Sequence, residues 1–215
     1  MKKIVAAILL GCFALSAQAE GGYVGVGIGS VVYPNWVDVA NSTAISAGFS
    51  SARTEQNAGS LGFEIYSGQW FSDNIGYEIG YADLGSITGN QTLSGPSATY
   101  TYKYSATALH VSVLGGVTVG KHKLFGKVGI FNASTKLQEN AAIPSLSRTY
   151  SASFSDSSSG LVVGAGYTSS ITDKLISKLE FDVYNGVKFA NDFTPTKTVD
   201  SKNLMKLFFG LGYEF

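Results

Sequence analysis

Few residues in this chain combine a reactive side chain with a useful spacing. His110 and Ser112 stand two apart in HVSVL, which on a β-strand places an imidazole and a hydroxyl on one face. A serine nucleophile needs such a base within reach and a third group to orient the base, and the neighbouring residues supply none. His122 falls in a short turn, and no His, Cys and carboxylate residues recur at metal-ligand spacing. The stretch GVGIGS (Gly25–Ser30) lacks the spacing and the strand-to-helix setting of a nucleotide loop. No cofactor and no metal are therefore expected.

A second set consists of charges that alternate with apolar residues: Glu64, Glu78, Lys127, Lys178, Glu180, Asp182 and Lys206. All fall on the face opposite the one carrying Val, Leu, Ile and Phe, and both signs are present. Their natural chemistry is an ion-pair network, provided that the elements carrying them curl around a common interior.

Met1 to Ala19 reads as a processing segment: Lys2 and Lys3, a mostly apolar Ile4 to Leu15, and a small-x-small site at Ala17 to Ala19. The apolar run is shorter than a spanning helix and is broken by Gly11 and Cys12. Leu9 to Cys12 resembles a lipoprotein box, but the bulky Leu10 and the apolar residues after Cys12 weigh against it. Removing 19 of 215 residues leaves 196, enough for one domain. Cys12 leaves too, so the mature chain has no thiol chemistry. With Lys2 and Lys3 gone, 13 basic residues face 15 acidic ones, which gives no field for nucleic acid.

The elements are strands. The 26 glycines, 12 tyrosines and 13 phenylalanines against 14% charge favour β-structure. From Tyr23, Val24, Val26, Ile28 and Val32 alternate with Gly25, Gly27 and Gly29, so the face opposite the apolar one is nearly empty. A narrow barrel needs such small interior positions. Leu61 to Ile65, Ile75 to Tyr81, Leu109 to Val117, Leu124 to Ile130, Leu161 to Tyr167, Leu175 to Val183 and Phe209 to Phe215 repeat the period of two. That makes eight strands, with connections alternating long and short. An all-β, eight-stranded, antiparallel up-and-down transmembrane barrel has this asymmetry, with both termini in the periplasm. Tyr100, Tyr102 and Tyr104 share parity with the inward His110; either this part rises above the membrane or a bulge near Ser105 switches the faces.

Four stretches carry a resemblance to a known family: Gly22 to Gly29 after the exported start, GYEIGYADLGS (Gly76 to Ser86), LFGKVGIF (Leu124 to Phe131) and the terminal GLGYEF. The chain resembles the OmpA-like outer-membrane barrels, a family that includes OmpX and the neisserial opacity proteins, over Glu20 to Phe215. The resemblance implies contact with outer-membrane lipid and lipopolysaccharide, and insertion by the barrel assembly machinery. That machinery would read Phe209, Leu211, Tyr213 and Phe215 as its signal. A peptidoglycan-binding domain is absent from the sequence, so cell-wall anchoring is not carried over.

Within that family the interior charges have two readings, a packed ion-pair network or a gated pore; an eight-stranded interior has room for little beyond its own side chains, which favours packing. His110 and Ser112 invite comparison with outer-membrane lipid A deacylases, but HVSVL lacks the Asn and Ala that follow there. Trp70, Phe71, Tyr213 and Phe215 are expected in an interfacial aromatic belt. The expectation is a monomeric, non-enzymatic barrel. Its role is structural or adhesive through the loops Pro34 to Asn57 and Lys136 to Ser158, which offer surfaces to a host or surface ligand. A narrow channel for small solutes is the alternative, and a lipid-modifying enzyme the third reading.

Overall fold

Alternating apolar and small or charged residues give every strand one face for lipid and one for the interior, and the computed structural model shows how the strands close. It describes residues 21–191 and 198–215, apart from positions 47, 58, 96, 145 and 146. The expected leader and most of the last loop, around Asn191 to Thr196, lie outside the described residues.

The order is β1 (Gly22–Val32), α1 (Val37–Ser46), β2 (Ser51–Gln56), β3 (Gly59–Trp70), β4 (Ile75–Ser94), β5 (Ala98–Val119), β6 (His122–Ile143), β7 (Arg148–Ser170), β8 (Leu175–Asn191) and β9 (Thr198–Glu214). Neighbouring pairs are antiparallel, and β9 closes the ring on β1 from Tyr23↔Glu214 to Val32↔Met205. Among the described residues, eight strands form the wall, as expected. The ninth, β2, was not expected: it lies within the first loop. Above a bulge between Asp83 and Ser86, β2 takes the place of β3 beside β4. Gly85 makes the bulge with φ +70°, a conformation that suits glycine. Tyr33 Oη donates to the carbonyls of Leu84 and Gly85 at 3.2 and 2.9 Å. Burial raises the Tyr33 phenol pKa well above its ordinary value, so the group stays a donor.

The expected long loops are largely strand. The β6–β7 ladder continues to Ile143↔Arg148 and the β4–β5 ladder to Leu93↔Ala98, so Lys136 to Ser158 is a tall hairpin with a short tip. The inward positions of the upper β6–β7 ladder include the polar Thr135, Glu139 and Ser158, all buried; the alternation survives in burial while it vanishes from hydropathy. The first loop, Pro34 to Asn57, folds back over the barrel mouth instead of standing free. Trp36 is 1% exposed, stacks on Tyr104 at 5.6 Å and meets the edge of Phe189 at 5.7 Å. Gln56 holds it there: Trp36 N donates to Gln56 Oε1 at 3.0 Å, and Gln56 Nε2 donates to the Pro34 carbonyl at 2.9 Å.

Tyr102 and Tyr104 are buried, and β5 keeps an unbroken register with β6 from Thr99 to Val119. The strand therefore rises above the membrane with its tyrosines inward, and the bulge belongs to β4. Trp70 also departs from expectation. It shares parity with Glu64 and Tyr66, and its ring meets Phe125 edge-on at 6.3 Å under the Lys123 ammonium, 3.7 Å from the ring centroid. It closes the periplasmic mouth from inside. Phe71 is exposed and stacks on Tyr77, while Tyr213 and Phe215 lie edge to face at 5.4 Å on the outer surface.

Small inward residues let rings cross the interior. Tyr66 lies so close over Gly25, and Phe125 over Gly166, that a Cβ at either glycine would collide with a ring. Two apolar clusters result. The periplasmic one holds Tyr23, Tyr66, Leu114, Phe125 and Ile176. The outer one is built around Trp36, Tyr102, Tyr104, Phe131, Tyr184 and Phe189. Charged side chains fill the layer between them.

Candidate functional site

All seven charges expected inside are buried in that layer. Glu64 comes from β3, Glu78 from β4, Lys127 from β6, Lys178, Glu180 and Asp182 from β8, and Lys206 from β9. Their convergence follows from register: Lys127 pairs with Gly164, Gly164 with Asp182, and Asp182 with Lys206, so four adjacent strands present a cation, a gap and an ion pair on one level.

Glu180 is the hub. It lies 2.9 Å from Lys127 and 3.0 Å from Lys206, and it also bonds Lys178. Asp182 bridges Lys127 and Lys206 at 2.9 Å each. Glu78 takes Lys178, Lys127 at 3.3 Å and the Tyr23 hydroxyl at 3.0 Å. Glu64 takes Lys206 and, at 2.6 Å, His110 Nε2. A dry ion pair is stable only when such multiple partners replace the lost water. Aromatic faces supply more: Lys178 Nζ is 4.2 Å from the Tyr66 centroid, and Lys206 Nζ is 4.8 Å from that of Phe208. The cavity bounded by Glu64, Tyr66, Lys178, Glu180 and Phe208 measures about 10 Å³, at most the space of one water.

The sequence pair His110 and Ser112 gains a third member that spacing did not reveal. Glu64, 46 residues away, bonds the imidazole, and Ser112 Oγ lies 3.5 Å from Nδ1 on the other side. The order Ser, His, Glu is that of a hydrolytic relay. Yet 3.5 Å is the outer edge of a hydrogen bond, and Glu64, His110 and Ser112 are no more than 2% exposed. All three face the packed interior.

On the closing strand, Phe209, Leu211, Tyr213 and Phe215 all face outward, each between 43% and 53% exposed. The chain end is tied by Phe215 N to the Gly22 carbonyl at 3.0 Å and Glu214 N to the Lys174 carbonyl at 2.8 Å. Spacing did not single out the plug residues Tyr33, Trp36 and Phe189; the Trp in an otherwise polar loop was the one available signal.

A search of curated proteins finds no match. Among solved structures, the chain is similar to Ail, the attachment invasion locus protein of Yersinia pestis (14% identity, TM-score 0.46, covering 92% of this chain and 100% of that one). It is similar to Neisserial surface protein A (12%, 0.47, 91% and 98%) and to the outer membrane protease OmpT of Escherichia coli (12%, 0.48, 90% and 96%). The family model of the OmpA-like transmembrane domain matches residues 17–215, and the chain belongs to that family of outer-membrane β-barrels.

Proposed function

We propose that this protein works as a closed barrel that displays an extracellular sheet, in a structural or adhesive role at the cell surface, without catalysis. The observation that carries this reading is the filled lumen: Glu180 touches three lysines at once, with an aromatic cluster on either side. A side-chain plug of this kind supports neither solute passage nor access to Ser112. What remains variable is the wall above the membrane, where the β4–β5 and β6–β7 hairpins and the outer face of the first loop meet the medium. Loops and hairpins on a rigid scaffold are where binding chemistry is placed.

The test compares cells carrying the whole protein with cells in which residues 138–153 are replaced by a tight turn, scoring attachment to host matrix and abiotic surfaces. Reduced attachment at equal surface display is the expected result; unchanged attachment rejects the adhesive reading. Steady single-channel conductance of the purified protein in planar bilayers, lost in Glu180→Gln, would favour the narrow channel instead.

A further inference from the structure

Beneath the charged layer the barrel is not completely filled. A recess of about 210 Å³ opens between the periplasmic turns, room for several waters or for one molecule the size of an amino acid. Its floor is apolar, made by Leu114, Phe125 and Ile176 of the periplasmic cluster. One wall follows from register: Thr118 pairs with Lys123 and Lys123 with Thr168, so three adjacent strands point a hydroxyl, an ammonium and a hydroxyl inward on one rung. Glu214, the last inward residue of β9, lines the recess too, as does the Trp70 ring beneath Lys123.

The titratable groups around the recess fall into two sets. Lys178 is bound to Glu78 and Glu180, the Tyr23 hydroxyl to Glu78, and His122 Nδ1 lies 2.6 Å from the Tyr167 hydroxyl. Lys121, Lys123, Asp73 and Glu214 remain, two of each sign. None of these four lies within ion-pair distance of an opposite charge among the described residues. Asp73 and Lys121 are exposed at the rim, whereas Lys123 and Glu214 are partly buried. Withdrawing a carboxylate and an ammonium from water without pairing them costs free energy. The ring under Lys123 offsets part of that cost for the cation alone. A ligand carrying both charges relieves both groups.

We propose that this recess binds a small zwitterion with an apolar body, an α-amino acid with an aliphatic side chain. The ligand carboxylate meets the Lys123 ammonium between the Thr118 and Thr168 hydroxyls, its ammonium meets Glu214, and its side chain lies on Phe125 and Ile176. Lys121 and Asp73 at the rim add one charge of each sign, so the mouth favours neither a net anion nor a net cation. The recess ends at the charged layer, and binding leaves the barrel closed. The inference goes beyond the adhesive reading and is independent of it, so the two fail separately.

The chain has two tryptophans, Trp70 in the recess and Trp36 in the outer plug. The mature protein, folded in detergent, is titrated with leucine while tryptophan emission is followed. A saturable change is expected in the wild type and in Trp36→Phe; its persistence in Trp70→Phe places the ligand elsewhere and overturns the proposal. N-acetyl-leucine, which lacks the cation, and leucinamide, which lacks the anion, should each bind about tenfold more weakly than leucine. Lys123→Gln should weaken leucine about tenfold and leave leucinamide unchanged, and Glu214→Gln should weaken leucine as much and leave N-acetyl-leucine unchanged. The two analogues probe the wild type itself and decide the matter if neither variant folds. Absence of a saturable change, equal affinity for leucine and both analogues, or wild-type affinity for leucine in either folded variant overturns the proposal.

Discussion

Asp182 on β8 and Lys206 on β9 face each other on one rung of the ladder, with Oδ2 and Nζ 2.9 Å apart and neither residue exposed. The pair shows how the barrel uses its cross-strand register. In a soluble sheet such a pair would lie at the surface and contribute little; here it is one bond in a layer where each charge has at least two partners.

Replacing the hub should therefore be costly. Glu180→Gln keeps the size of the side chain but leaves Lys127, Lys178 and Lys206 one carboxylate short. A loss of about 3–5 kcal/mol is expected for breaking a buried ionic cluster from one side, measured as the shift of urea unfolding for the refolded protein in detergent. A change under about 1 kcal/mol would mean that water, not Glu180, solvates the lysines.

Leu211 is 44% exposed on the lipid face of β9. Leu211→Arg should cost about 2–4 kcal/mol of insertion free energy, as a cation facing hydrocarbon does. The heat-modifiable folded band should shrink accordingly. Wild-type yield of that band would mean that the outward face has been assigned to the wrong residues.

A small epitope tag between Pro144 and Ser147, at the tip of the β6–β7 hairpin, should be labelled on intact cells without loss of folded protein. Labelling that appears only after the outer membrane is permeabilised would invert the topology.

Trp36→Ala removes the ring that packs on Tyr104 and Phe189. A destabilisation of about 3–5 kcal/mol is expected for truncating a buried Trp, seen as faster proteolysis within Pro34 to Asn57 on intact cells. Conductance should stay absent, because the charged layer closes the lumen beneath it. If ions begin to pass in Trp36→Ala, the outer plug and not the charged layer is the seal.

The membrane-embedded part was legible because its two faces differ in hydropathy: Phe209, Leu211 and Tyr213 against Gly210, Gly212 and Glu214 give the lipid side without ambiguity. The charged residues were legible for the same reason, since Lys or Glu between valines has only the interior to enter. Above the membrane both faces are polar, and Thr135 or Glu139 inside looks no different from Ser134 or Gln138 outside. The tall hairpins were therefore read as loops. Trp70 was misplaced by its residue type, although its parity with Glu64 and Tyr66 held the correct answer. The contact between Glu64 and His110 was hidden for another reason: it joins β3 to β5 across the lumen, a relation that no spacing along the chain encodes.

Glu180 also limits how this sequence can drift. A two-residue barrel contact can trade its signs in two substitutions, but exchanging Glu180 for a lysine would set it against three like charges simultaneously. No single compensating replacement relieves that, so the polarity of this layer is frozen as a block, while the hairpins above it are free to diverge one position at a time.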